Sequence, residues 1–235
     1  MEHFLRLLSP VQAFELFAAL AGTYYLRKTG DTSFIRYFVW FLWFSFFVEL
    51  LGTYAGVAYF SDYRLFSFVK GTPFAGNYWL YNISSIIAFS VYITLFTSLL
   101  QNITRRKYLK ITLLVYILAA IINLLLTDVY FQAHSVFTFF AGTIIVIIAI
   151  GMYYFELLKS DELLSISSSV PFYISIGALV YHLGFVPLVI YSRYFKQSSP
   201  DFVEIYIFIL YGINYFIYSL YTLGFLLCSR KKRSF

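Results

Sequence analysis

Long apolar stretches alternate with short polar connections along this chain. A helix needs about 20 mostly apolar residues to cross the hydrocarbon core of a bilayer. By that criterion the pattern predicts seven membrane-spanning helices within one domain that covers residues 1–235. The expected fold class is therefore an all-α polytopic membrane protein. The predicted spans cover residues 10–26, 34–60, 77–100, 108–126, 131–158, 171–191 and 202–228.

Basic residues are distributed unevenly between the two sets of connections. If the N-terminus lies outside, the inner segments hold 12 of the 17 lysines and arginines, and the outer segments hold 5. The largest inner groups fall within residues 105–110 and 230–233. Cytoplasmic segments of membrane proteins are enriched in lysine and arginine. The distribution therefore predicts an outer N-terminus and an inner C-terminus.

The composition narrows the class of protein further. The chain is 61% hydrophobic and only 12% charged, whereas a soluble domain is about half apolar and about a quarter charged. Its net charge of +6 comes from segments that flank the predicted spans, so membrane lipids are expected around it and a nucleic-acid partner is not. The single cysteine excludes an intrachain disulfide. The early Glu2, with no small-residue cleavage pattern before the first long apolar run, argues against a cleavable signal peptide.

Two glutamates fall inside predicted spans. A carboxylate at the centre of a membrane helix costs roughly 2.5–3.5 kcal/mol on insertion scales, so such a residue is a candidate functional site. Glu49 is expected in the outer half of the second span, and Glu15 nearer the outer interface in the first. Glu49 is the stronger candidate because it lies deeper.

Other polar residues at membrane depth extend this candidate site. Asn82, His182 and Asn214 fall at or outside the expected midplane of the third, sixth and seventh spans. Because lipid cannot satisfy polar groups, they should turn inward. Together with Glu49 and Glu15 they predict an outward-facing cavity for ligand binding or proton coupling. Interhelical hydrogen bonding is the structural alternative for the asparagines.

No motif supports a cofactor, a metal or catalytic residues. A rhodopsin-type Schiff base needs a lysine in the seventh span, and residues 202–228 contain none. Membrane hydrolases of the ceramidase and adiponectin-receptor type hold zinc with three histidines, whereas one of the three histidines here lies in the N-terminal tail. Sugar transporters of the SWEET type repeat a three-helix unit, which the first and last three spans do not share.

The start of the sixth span resembles a sequence pattern found in other membrane proteins. Residues 170–187 read VPFYISIGALVYHLGFVP. This stretch resembles a Phe-Tyr/Trp-Ile-x-x-Gly-x-Leu-x-Tyr-x-x-Gly pattern in small, uncharacterised seven-helix membrane proteins of Bacteroidota-type bacteria. The resemblance implies a bacterial inner (cytoplasmic) membrane and a sensor kinase as neighbour. His182 stands where an apolar or aromatic residue is expected in that pattern.

Three functions are compatible with these patterns. The leading hypothesis is a sensor, receptor-like protein or accessory subunit that binds a small-molecule or lipid-like ligand in the outer cavity. Because the connections are too short to hold an output domain, a separate membrane or cytoplasmic protein partner would carry the signal. The alternative is a small transporter or proton-coupled carrier that uses Glu49 and Glu15. A less favoured alternative is an intramembrane lipid enzyme with Glu49 and His182 as acid and base.

Overall fold

The computed structural model describes residues 2–30, 34–194 and 200–231, and all regular structure in these ranges is helical. Three short 3₁₀ segments, Ser67–Val69, Pro73–Ala75 and Asp161–Ser168, lie in the connections. The α-helices are α1 (Glu2–Thr29), α2 (Ile35–Phe60), α3 (Tyr78–Leu99), α4 (Ile103–Leu126), α5 (Val129–Gln132), α6 (Val136–Leu157), α7 (Val170–Tyr194) and α8 (Pro200–Lys231).

Six of these helices are long and apolar enough to cross a bilayer: α2, α3, α4, α6, residues 170–190 of α7 and residues 205–230 of α8. Their outer surfaces carry many exposed apolar side chains, such as Leu125 and Leu126 on α4. Such surfaces suit a lipid environment and not water. The structure thus agrees with a polytopic all-α membrane fold. α1 is not among the six, and it carries Glu15 together with Arg27 and Lys28 in its last turn.

Helix α1 nevertheless packs along the length of the bundle. It runs parallel to α8, because the Phe14 ring lies 5.1 Å from that of Tyr215 and the Tyr25 ring lies 5.7 Å from that of Phe225. It also packs antiparallel to α2, where Trp43 Nε1 donates to Thr23 Oγ1 at 3.0 Å. With 28 residues, α1 is about 42 Å long at about 1.5 Å per residue.

The connections define two ends of the bundle. At the end that we call the loop end, segments 61–77 and 127–135 meet, and the Phe74 and Phe131 rings lie 5.3 Å apart. At the opposite end, which we call the basic end, Arg105 of α4 pairs with Glu156 of α6 at 3.1 Å. The loop end corresponds to the predicted outer side, and the basic end to the predicted inner side.

Three helix starts differ from the predicted spans. α1 begins at Glu2, not at residue 10, and Pro10 lies inside it. α4 begins at Ile103, not residue 108, because Asn102 caps it by accepting a 3.0 Å hydrogen bond from the Arg105 amide. The predicted span 131–158 is also interrupted. Four of the residues around its start form the separate helix α5, and α6 begins at Val136 after Ser135 caps it.

Helices α7 and α8 approach each other closely at three glycines: Gly184, which lies against Ile213, and two nearer the basic end. Gly177 of α7 leaves no room for a Cβ atom beside the Tyr221 ring. Gly224 of α8 lies against Tyr173, whose Cβ atom would be 2.7 Å from a Cβ on the glycine. Small residues allow this kind of close helix approach in membrane proteins. The two contacts fix α8 against α7 in the half of the bundle near the basic end.

Candidate functional site

A cavity of about 330 Å³ lies inside the bundle in its loop-end half. Five long helices besides α1 contribute to its wall, namely α2, α3, α6, α7 and α8. Its lining is largely aromatic, with a few polar groups among the rings. The polar lining residues other than tyrosine are Gln12, Ser45, Glu49, Ser84, Ser85, His134, His182 and Asn214.

Among the described residues, Glu49 is the acidic residue of this wall. It is half-buried, because its carboxyl group faces the cavity. The Tyr81 hydroxyl donates a hydrogen bond to Glu49 Oε2 at 2.9 Å. Gly52, one turn further along α2, leaves the space in which the Tyr81 hydroxyl lies. The hydrogen bond from Tyr81 therefore holds one carboxylate oxygen of Glu49 in place.

Tyrosines from three helices surround the Glu49 carboxyl group. The hydroxyl groups of Tyr81, Tyr181, Tyr211 and Tyr218 all lie within electrostatic range of it. They come from α3, α7 and α8. Phenol rings offer both hydroxyl donors and negative π faces. In this part of the cavity, the Glu49 carboxyl group and the faces of the tyrosine rings would therefore interact favourably with a positive charge.

Glu15 lies behind Glu49 and not in the cavity wall. Its side chain is 2% exposed, so it is buried more deeply than the sequence pattern suggested. The Tyr218 hydroxyl and the Glu49 carboxyl group both lie within electrostatic range of it. Within the described part of the chain, Glu15 Oε2 has no hydrogen-bond partner. Two acidic groups, one buried and one half-buried, thus lie close together beside one cavity.

His182 lies in the cavity wall deeper in the bundle. Its ring stacks on Phe89 with centroids 4.8 Å apart and meets Tyr92 edge-on at 5.3 Å. The side chain is 2% exposed, and neither ring nitrogen has a hydrogen-bond partner among the described residues. The Tyr92 and Tyr221 hydroxyls lie 3.0 Å apart in the same region. The packed rings around His182 close the cavity on the side that faces the basic end.

The two candidate asparagines have different positions. Asn214 lines the cavity, and its Nδ2 donates to the Leu210 carbonyl within α8 at 2.8 Å. Asn82 lies outside the cavity and is fully buried. Its Nδ2 contacts the carbonyls of 129, 130 and 133, of which Ala133 is nearest at 2.9 Å, and its Oδ1 accepts from the Ser135 amide at 3.0 Å. The structure therefore separates Asn82 from the predicted cluster and places it as the support of the α5 turn.

His134 lies in the connection between α5 and α6 and also lines the cavity. Its ring meets Tyr78 at 5.3 Å, Phe139 at 6.0 Å and Tyr81 at 6.1 Å. Burial among these rings lowers the pKa of His134 from 6.5 to about 4. The histidine is therefore neutral at pH 7.

The cavity has no positive side chain of its own among the residues described. Neither lysine nor arginine is in its lining. The described residues also contain no group of three or more His, Cys, Asp or Glu side chains that could hold a metal ion. The chemistry of the cavity is therefore determined mainly by its acidic and aromatic groups.

Several lining residues were not predicted from the sequence, among them Tyr81, Ser84 and Tyr181. One signal for part of this wall is helical spacing in α3, where Tyr81, Ser84, Ser85, Ala88 and Tyr92 recur on one face and all line the cavity. Asn82 lies on a different face of α3, which points away from the cavity.

The chain was compared with known proteins in three ways. Protein-family models, curated proteins and solved structures each gave no match. The chemistry of the cavity itself is therefore the basis for a functional proposal.

Proposed function

We propose that this protein is an integral membrane receptor-like sensor or accessory subunit. It binds a small or lipid-like ligand in the cavity and acts through a separate membrane or cytoplasmic protein. The observation that carries the proposal is a 330 Å³ cavity beside two closely placed carboxyl groups, Glu49 and Glu15, at one end of a helix bundle. Buried acidic groups in a membrane protein mark a functional site by default.

We further propose seven spans with the loop end outside and the basic end in the cytoplasm. Two observations support counting α1 as a span. It is about 42 Å long, and its ring contacts with α8 extend from Phe14 to Tyr25. The excess of basic residues at the opposite end supports the orientation. The resemblance of residues 170–187 supports a bacterial inner membrane and a sensor kinase as partner.

A receptor is favoured over a carrier because the cavity ends within the bundle. Toward the basic end, Phe38, Ile93 and Phe96 have no exposed surface. Their apolar packing supplies no polar path for a substrate or a proton to the basic end. A carrier that used Glu49 and Glu15 would need such a path in at least one conformation.

A lipid enzyme with Glu49 and His182 as acid and base receives less support. Both ring nitrogens of His182 lack a hydrogen-bond partner in the described part of the chain. Glu49 instead pairs with Tyr81. A general acid and base need to lie within hydrogen-bond reach of their reacting groups, and no nucleophile joins them here.

The decisive experiment combines a cavity-filling variant with co-purification from native membranes. Ser84→Phe places a ring in the cavity, whereas Ile83→Phe places one on the neighbouring, exposed position of the same helix. We expect a stable protein partner to co-purify with the wild type and with Ile83→Phe, and its amount to change with Ser84→Phe. The absence of any partner, or equal recovery with both variants, would contradict the proposal.

Liposome flux measurements separate the receptor from the carrier. We expect reconstituted protein to show no proton-driven uptake in the presence or absence of a pH gradient. Flux that depends on a pH gradient and is lost in Glu49→Gln would establish the carrier instead.

A further inference from the structure

We infer that the cavity binds a small organic cation whose positive group is an alkylated or primary ammonium. This inference rests on the proposed function, because it assigns a ligand class to the same cavity. It is carried by the placement of Glu49 in the wall, Glu15 behind it, and the tyrosines around both.

The charge balance of the cavity favours a cation. Glu49 faces the interior, and Glu15 lies within electrostatic range of it. No lysine or arginine lines the cavity among the described residues, and His134 is neutral at pH 7. A buried carboxyl group either takes up a proton or is compensated by a positive group. The described residues supply no such group at this position, so a bound ammonium would supply it.

The aromatic wall favours an organic cation over a metal ion. Phe41, Phe44, Tyr181 and Tyr211 are among the rings that line the same space as Glu49. A ligand cation over an aromatic face gains about 0.5–2 kcal/mol, and aromatic cages are used to recognise quaternary ammonium groups. Calcium and magnesium instead require about six oxygen ligands, which one half-buried carboxyl group and scattered hydroxyls do not provide.

The volume limits the size of the ligand. Ligand cavities commonly measure about 300–1,000 Å³, so a cavity of about 330 Å³ lies at the small end of this range. The closed aromatic packing around His182 prevents a longer ligand from extending toward the basic end. A compact ammonium compound therefore fits the space better than a long amphiphile.

The test compares a cation with its neutral isostere. Choline and 3,3-dimethylbutan-1-ol have nearly the same shape, but only choline is charged. Tetramethylammonium and propylammonium extend the cationic set. Binding to the full-length protein in a neutral detergent is measured by isothermal titration calorimetry. We expect at least one ammonium probe to bind at least about tenfold more tightly than the neutral alcohol.

Variants then assign the effect to the cavity. Glu49→Gln keeps an acceptor for Tyr81 and should abolish the preference for the charged probe. Asp62→Asn removes one carboxylate from an exposed turn at the same end of the bundle and should leave that preference intact. Tyr211→Phe keeps the ring and should retain binding, whereas Tyr211→Leu should weaken it. Phe216→Leu is the matched control, because Phe216 is exposed on the outer surface of α8.

Two outcomes would overturn the inference. If the alcohol binds as tightly as the cations and Glu49→Gln changes neither, the cavity is a site for neutral ligands and the proposed receptor function stands. If no ammonium probe binds, the cation inference fails outright. The receptor proposal is then judged separately by partner recovery in Ser84→Phe and Ile83→Phe.

Discussion

A Cβ atom on Gly52 would lie only 2.6 Å from the Tyr81 hydroxyl oxygen. Gly52 and Glu49 are one helical turn apart on α2, so the same helix provides both the space for this hydroxyl and its acceptor. The Tyr81–Glu49 hydrogen bond of 2.9 Å depends on both. Gly52 therefore controls the shape of the cavity without lining it.

Gly52→Ala should weaken binding of the ammonium probe by about fivefold, which corresponds to roughly the 1 kcal/mol of one hydrogen bond. The added methyl group displaces Tyr81 toward the cavity that it lines and takes from Glu49 its hydrogen-bond donor. Isothermal titration calorimetry measures this loss. Gly151→Ala is the control, since a Cβ there meets no atom within 4 Å. Equal affinity in both variants would show that the Tyr81 position does not matter for binding.

Glu15→Gln should raise the melting temperature by a few degrees. The substitution removes the buried member of two acidic groups that lie close together, and its amide can donate toward Glu49. Glu156→Gln should have the opposite effect, because Glu156 pairs with Arg105. Thermal unfolding in detergent measures both. A decrease for Glu15→Gln would mean that the carboxylate makes a favourable native interaction that a neutral amide cannot replace.

His134 should make folding stability depend on pH between about 6.5 and 4. In the unfolded chain the histidine gains a proton below its ordinary pKa of 6.5, whereas burial lowers the pKa of His134 in the folded protein to about 4. Its contribution to stability is therefore complete above pH 6.5 and is lost as the pH falls toward 4.

His134→Gln isolates this contribution. The difference in melting temperature between pH 7 and pH 4.5 should be smaller in the variant than in the wild type. Identical differences would show that His134 is accessible to protons in the folded state.

Asn82→Ala should destabilise the fold by about 2–4 kcal/mol and leave probe affinity in the folded fraction unchanged. The change leaves the buried Ser135 amide without an acceptor and removes the donor to three carbonyls of the α5 turn. Asn102→Ala, which removes only the cap of α4, should cost about 1 kcal/mol. Thermal unfolding and calorimetry measure the two properties. A loss of affinity without a loss of stability would place Asn82 in the ligand site after all.

Much of the architecture follows from hydrophobic pattern alone. Six predicted spans correspond to helices that are long and apolar enough to cross a bilayer, because lipid requires continuous apolar segments. The hydropathy pattern does not predict the break between α5 and α6, because a hydrogen-bonded turn does not change the hydropathy of the segment. That turn depends on Asn82, which is about fifty positions away along the chain.

The residues that line the cavity could be predicted from the sequence only in part. Glu49, His182 and Asn214 do line one cavity, and Glu15 lies next to it. The rotation of each helix about its axis was not determined by the sequence, because aromatic residues cover every face of helices such as α2. The pattern therefore groups Asn82 with the cavity and does not single out Tyr81, its immediate neighbour.

If α8 tilts as a rigid body, its close contacts with α7 at Tyr221 and Gly224 set the point about which it turns. The longer arm of α8, toward the loop end, carries Tyr206, Tyr211 and Tyr218 along the cavity and extends about 24 Å from this point at about 1.5 Å per residue. The shorter arm, about 12 Å long by the same measure, ends at the basic residues that follow Ser229. For a rigid tilt of α8 about this point, a 1 Å displacement beside the ligand corresponds to a movement of about 0.5 Å at the basic end.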